Sequence, residues 1–252
     1  MLDSPWSVHT EPIGQDSFQR LSELIRTRKQ TDPFAPVTVV APSQYAGVML
    51  RRALAASHGL LNVRFMILPR LAEYLGSPTL AKEGKAPLTP LVELASIRHI
   101  ATESGVDGPL RAVSHHPGLP GLLRRTFSEL SRLEETDLSN LADTDGLRAQ
   151  LVDWYRLFRD ETKGYYVHEG LVRAAEDAVT KGLVDDTLRD IGYVVFYLLN
   201  DLTKSEARLT KSLIDTDQAA MILGMVGEAE IDEDTLLVKT VISGGCETAL
   251  SL

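Results

Sequence analysis

The sequence predicts an α/β protein with a parallel sheet interrupted by an all-helical insertion, and three observations carry that expectation. Short apolar-rich runs at Val37–Ala41, Val63–Leu68, Tyr193–Tyr197 and Ala219–Val226 read as strands, and the continuous apolar run Val37–Ala41 is consistent with burial on both faces. The runs stand beside stretches of helical period, which is the alternation of a sheet covered by helices. Between Leu88 and about Gly182 no convincing strand is visible, only helical periodicity broken by turns.

The organising stretch is Ile191–Leu213. Tyr193, Val194, Val195, Phe196 and Tyr197 read as a buried central strand. The chain then turns at Asn200-Asp201, and Thr203-x-x-Glu206 has the form of a capping box opening a helix.

From the start, residues 6–29 are expected to hold a first strand, a turn and a helix. Phe18, Leu21, Leu24 and Ile25 follow helical spacing, with Asp16 or Ser17 as cap. Asp32-Pro33-Phe34-Ala35-Pro36 is a loop, because each proline biases the preceding residue away from helix. Pro42 ends the strand at Val37–Ala41, and Ser43 caps a helix running to Ser57 with Val48, Leu50, Ala53 and Leu54 on its apolar face. Gly59 closes that helix. After Val63–Leu68, Pro69 begins a helix carrying Leu71, Ala72 and Leu75.

The character changes at Gly76, where Ser77–Pro87 reads as a polar, proline-containing linker. Helices follow: one with Leu91, Leu94, Ala95 and Ile97, ending near Ser104-Gly105, and one over Leu119–Leu133 with Leu122, Leu123, Phe127 and Leu130 in a stripe. Two more run over Leu147–Phe158, with Leu151, Trp154, Tyr155 and Phe158, and over Val167–Val179. Past the last strand, Gly227–Asp234 is acidic and loop-like, and the tail Val241–Leu252 with Gly244-Gly245 shows no element. The expected organisation is therefore 1–76 and 186–252 as an α/β core around a helical 77–185.

Composition narrows the function classes. The 252 residues are 44% hydrophobic and 24% charged, in the ordinary globular range. No apolar run approaches the roughly 20 residues that span a bilayer. The N-terminus lacks the basic start and apolar core of a secretory signal, so no membrane partner and a cytoplasmic location are expected. The single cysteine, Cys246, excludes an internal disulfide and a multi-cysteine metal site. A net charge of −9 works against free-standing nucleic-acid binding, although Arg51-Arg52 and Arg124-Arg125 are local basic pairs.

The strand–loop–helix around Tyr197 resembles a known family. Superfamily 1 helicases carry, at this point, a pattern close to Asp-Glu-x-Gln-Asp-x-Thr-x-x-Gln. Here the run is Tyr197-Leu198-Leu199-Asn200-Asp201-Leu202-Thr203-Lys204-Ser205-Glu206. Asp201 and Thr203 match, Asn200 and Glu206 are near matches, and Tyr197 and Leu198 replace both acids. Val37–Ala55 resembles the strand, polar turn and helix that follow the nucleotide loop in that family, and Val63–Tyr74 its next short strand and helix. The chain thus resembles the N-terminal helicase-like region of the AddB-type, RecB-family subunit of bacterial helicase–nucleases.

The resemblance implies a sheet of P-loop NTPase/helicase type with a helical subdomain inserted. It also implies a parent protein that acts as a DNA exonuclease/helicase subunit, whose nuclease lies far downstream. The phosphate loop of such proteins, Gly-x-x-x-x-Gly-Lys-Ser/Thr, is here Glu11-Pro12-Ile13-Gly14-Gln15-Asp16-Ser17-Phe18. Gly14 survives, but Gln15 or Asp16 stands in the lysine place, and an acid repels a triphosphate.

With Gly14, Gln15, Asp16, Ser17, Tyr197 and Leu198 all degenerate, no nucleotide, metal or other cofactor and no catalytic residue are expected in this segment. The expected role is a scaffold for a partner motor subunit and a guide for DNA, single-stranded or at a duplex end. Ser43, Gln44, Arg51 and Arg52 are the candidate DNA contacts, because Ser43-Gln44 follow a parallel strand at the edge where such sheets bind ligands. The competing reading is a small-molecule enzyme or a protein-interaction domain on a doubly wound sheet, with a site near Ser43 and Asn200-Asp201.

Other residues have simpler readings. His115-His116 lack a nearby third metal ligand, and their proline- and glycine-rich setting is that of an exposed loop. His168-Glu169 fit a capping or solvent-facing pair at a helix start. Trp154-Tyr155, at helical spacing with Leu151 and Phe158, fit a core better than a base-stacking platform. Cys246 has no histidine base nearby in sequence.

Overall fold

The structure is a computed structural model, and it describes residues 8–103, 108–143, 146–225, 229–231 and 238–241. The elements in order are β1 (Val8–Pro12), α1 (Gln15–Arg28), β2 (Val37–Val40), α2 (Gln44–His58), β3 (Val63–Met66) and α3 (Leu68–Lys82). Next come β4 (Ala86–Pro87), α4 (Pro90–Glu103), a 3-10 turn at Arg111–Val113, α5 (Leu119–Leu130), α6 (Glu135–Ala142) and α7 (Leu147–Glu161). The chain ends with β5 (Tyr165–Tyr166), α8 (His168–Thr180), α9 (Asp185–Ile191), β6 (Tyr193–Tyr197), α10 (Lys204–Asp215), β7 (Ala219–Met225), β8 (Ala229–Ile231) and β9 (Val238–Val241).

The chain divides into two compact units, residues 1–77 with 172–252, and Pro78–Leu171. The first holds a five-stranded sheet in the order β1-β7-β6-β2-β3, parallel throughout. The α/β class with a parallel sheet is as the apolar runs predict, and β6 is its central strand. Val195 pairs with Val39 on one side and Ala220 on the other. Strand side chains alternate between faces. On one face Val37, Val39, Val195, Tyr197 and Ile222 pack with Leu21 and Ile25 of α1 and Leu50 and Leu54 of α2. On the other, Val194, Phe196 and Met221 are fully buried. Fully apolar strands need this two-sided cover.

Local chemistry sets the turns into and out of β6. Gly192 caps α9 with φ 68° and passes against the chain before β2, where a Cβ would lie 1.9 Å from the Pro36 carbonyl oxygen. The same carbonyl accepts the Tyr193 N–H at 3.1 Å, and the Thr38 hydroxyl donates to the Ile191 carbonyl at 2.6 Å. Beyond β6, the Thr203 hydroxyl accepts the Glu206 N–H while the Glu206 carboxylate accepts the Thr203 N–H, the capping box that its spacing predicts.

The second unit is helical around Ile97, Ile100, Leu123, Phe127, Leu138, Val152, Trp154 and Phe158. Trp154 and Tyr155 are core residues, 2% and 7% exposed. This unit is not wholly helical, because β4 and β5 form a short parallel pair. Two residues are too few for a period of two to show, and Tyr165-Tyr166 passes for a turn.

Other expectations shift for similar reasons. The Ser77–Pro87 linker is in part helix: α3 runs through Pro78, since Ala72, Leu75 and Leu80 keep a buried stripe at helical spacing. Helices α6 and α9 escape detection because each buries a single apolar residue, Leu138 and Ile191. Leu91, Leu122 and Val48 face solvent, so the faces of α4, α5 and α2 are rotated from those expected. Glu169 is buried rather than solvent-facing. Part of the acidic loop at Gly227–Asp234 is strand, as β8 pairs antiparallel with β9. The tail beyond Val241, with Cys246, lies outside the described residues, as do Ser104-Gly105.

Two outcomes follow from the sheet. Gly192→Ala should cost about 3 kcal/mol or more, from left-handed strain plus the collision with Pro36, read as the shift of a denaturant unfolding midpoint. His9 is held below its ordinary value of 6.5, first by burial and then by the Arg20 charge. Its neutral form is therefore the one the fold favours, and the unfolded chain takes up the proton more readily. Stability should fall as pH drops below 6.5 toward the depressed value, and His9→Gln should flatten that part of the pH–stability curve.

Candidate functional site

The stretch Glu11–Phe18, compared above with a phosphate loop, runs from the end of β1 into α1. The last residue of β1, Pro12, pairs with Met225, and the next N–H, of Ile13, extends the ladder to the Met225 carbonyl. Gly14 then turns the chain with φ 129°, a value that favours glycine, and serves as the N-cap of α1. The cap is thus Gly14, not Asp16 or Ser17. Ser17 sits one turn in, where its hydroxyl accepts the Gly14 N–H at 3.2 Å and donates to the Gly14 carbonyl at 3.0 Å.

The same hydroxyl lies 3.2 Å from the phenol oxygen of Tyr197. Since the one Ser17 proton is directed at Gly14, the Tyr197 O–H is the donor of this pair. Ser17 is 0% exposed and Tyr197 6%, so the contact between the two hydroxyls is a buried one. β6 and α1 are therefore joined by one chain of hydrogen bonds, Tyr197 to Ser17 to Gly14, buried at the Tyr197–Ser17 link and part-buried at Gly14. Leu198 follows with φ 51°, outside the ordinary range for a branched side chain, while its N–H prolongs the sheet to the Ile222 carbonyl. A Cβ on Gly224 would lie 2.8 Å from Leu198 and 2.7 Å from Ile13, so these two side chains close over that glycine.

Charge around the first turn of α1 is unsuited to a polyphosphate. Asp16 is exposed there, Gln15 carries no charge, and the next cation, Arg20, is taken up by Glu11 at 2.8 Å and Glu23 at 3.0 Å. The Glu11 hydrogen bond raises the pKa of Arg20 further. A helix N-terminus attracts anions, but here the Ser17 side chain and an acid already occupy its first turn.

The other candidates lie across the sheet. Ser43 caps α2, accepting the Ala46 N–H at 3.1 Å. Ser43, Gln44 and Arg51 line a groove of about 740 Å³, together with Val63–Ile67 along β3 and Pro69, Arg70 and Glu73 of α3. Arg52 is exposed on α2 but does not line it, and neither do Asn200 and Asp201. Among the described residues, no ion pair engages Arg51 or Arg52. Arg124, by contrast, is paired with Glu93 at 2.7 Å. The His116 ring accepts the Gly118 N–H through Nδ1 at 3.1 Å, a local turn contact.

Ser17 is the residue that pattern reading undervalues. It was legible as a possible cap, but the Tyr197 contact joins positions 180 apart in sequence. No protein-family model matches the sequence, and no curated protein matches it at a significant score.

Tyr197→Phe keeps the packed ring and removes the donor. It should lower stability by about 1 kcal/mol in urea unfolding, the value of an ordinary buried hydrogen bond whose partner keeps other contacts.

Proposed function

We propose that this chain is a catalytically silent, helicase-like module of a DNA break-resection helicase–nuclease, a scaffold for a partner motor subunit and a guide for one DNA strand. The observation that carries the reading is the Ser17–Tyr197 contact. In the motor framework that the sequence resembles, the start of α1 holds phosphate and its metal, and the end of β6 presents two acids. Here the two places hydrogen-bond to each other, so one substitution suits the other. A site retired as a unit has this character, whereas loss of a single group would leave a buried partner unsatisfied at about 1–3 kcal/mol.

Support for a strand-guiding face comes from α2. Ser43, Gln44 and Arg51 share one groove, with Arg52 exposed beside it, which collects free positive charge on an acidic chain. A small-molecule enzyme has weaker support. The groove is of ligand-binding size, but its one lining carboxylate, Glu73, is paired with Arg70, leaving no acid–base couple.

Titration of the chain with magnesium-ATP to about 1 mM should give no binding heat in calorimetry; micromolar affinity would overturn the reading. Anisotropy with labelled oligothymidylate should give weak, salt-sensitive binding, lost in the Arg51→Glu/Arg52→Glu double variant.

A further inference from the structure

β3 is an edge strand, paired with β2 alone among the described residues. The Val37 N–H donates to the Asn62 carbonyl and the Ala41 N–H to the Met66 carbonyl. In a parallel ladder the peptide groups that face the partner strand alternate, so Asn62, Arg64 and Met66 are turned toward β2. The N–H groups of Val63, Phe65 and Ile67 and the carbonyls of Val63 and Phe65 are turned outward. The Ile67 carbonyl is already used, accepting from Arg70 and Leu71.

The groove runs along this edge. All residues from Val63 to Ile67 line it consecutively, which one face of a strand, with its period of two, cannot do. Its α2 wall sets Val48, 48% exposed, and Gly47 among the polar Ser43, Gln44 and Arg51, and the lining is cationic overall, since Arg51, Arg64 and Arg70 stand against Glu73. Arg64 is paired with Asp190 and Arg70 with Glu73, which leaves Arg51 as uncompensated charge.

We infer that this groove docks an extended acidic polypeptide segment of a partner protein, which adds to β3 as a further strand. The edge chooses between polymers: it offers donors and acceptors in alternation, and a peptide backbone answers both, whereas a phosphodiester backbone supplies acceptors only. The wall charge favours glutamate or aspartate at positions flanking the ladder, with valine-like side chains against Val48. A second copy of this chain fits poorly, because two cationic grooves would face each other. The inference goes beyond the proposed function: β3 lies at the far edge of the sheet from β1 and the silent α1 region, while the groove shares Arg51 with the strand-guiding face, so peptide and DNA strand compete there.

The test uses a fluorescein-labelled octapeptide alternating valine with glutamate, titrated by anisotropy against the full chain. Binding is expected in the range of tens to hundreds of micromolar at low salt. Methylating alternate backbone nitrogens of the peptide should weaken it at least tenfold, because ladder donors are lost while the protein is untouched. Exchanging glutamate for lysine in the peptide, or Arg51→Glu in the protein, should weaken it about fivefold or more. Absence of binding at 1 mM or affinity indifferent to N-methylation would each overturn the inference. Magnesium-ATP calorimetry reads a separate site, so failure here leaves the silent-motor proposal standing, and the reverse holds.

Discussion

The burial of β6 on every side is the constraint from which the rest of the first unit follows. Its backbone is hydrogen-bonded to β2 along one edge and to β7 along the other, and Val194, Val195 and Phe196 are fully buried. A strand so enclosed tolerates no misregister, because a slip by one residue would exchange its two packed faces. Both of its ends are accordingly pinned. Gly192 admits the chain beside Pro36, where no side chain fits, and Tyr197 ends the strand with a hydroxyl that must find a buried partner.

The partner it finds explains the character of the α1 end of the sheet. A phosphate cradle keeps backbone N–H groups and cations unsatisfied until ligand arrives. Here the Gly14 N–H is taken by Ser17, the Ser17 hydroxyl by Tyr197, and the Arg20 guanidinium by Glu11 and Glu23. The first turn of α1 is thereby part of the fold's own hydrogen bonding. The β3 edge is its opposite: outward peptide groups and the free Arg51 remain unanswered by the described residues.

The strands β2, β6 and β7 were legible because each is a largely apolar run, β3 because Arg64 alone interrupts one, and the Thr203 cap because its chemistry is local. The short elements were not: β4, β5, α6 and α9 bury too few side chains to show a period, and β8 lies in a run whose acidic residues read as loop. Helix faces in α2, α4 and α5 were displaced because adjacent apolar residues such as Leu122-Leu123 leave the inward one undecided.

At the site, the sequence by itself determined which charges exist, an acid at Asp16 and none at Gln15, Tyr197 or Leu198, since residue identity alone decides whether a charge exists. Only the tertiary structure decided which of these groups meet. The Ser17–Tyr197 pair and the groove along β3 depend on strands brought together from distant parts of the chain. No local pattern encodes such a meeting, because a hydrogen bond depends on separation in space and not along the sequence.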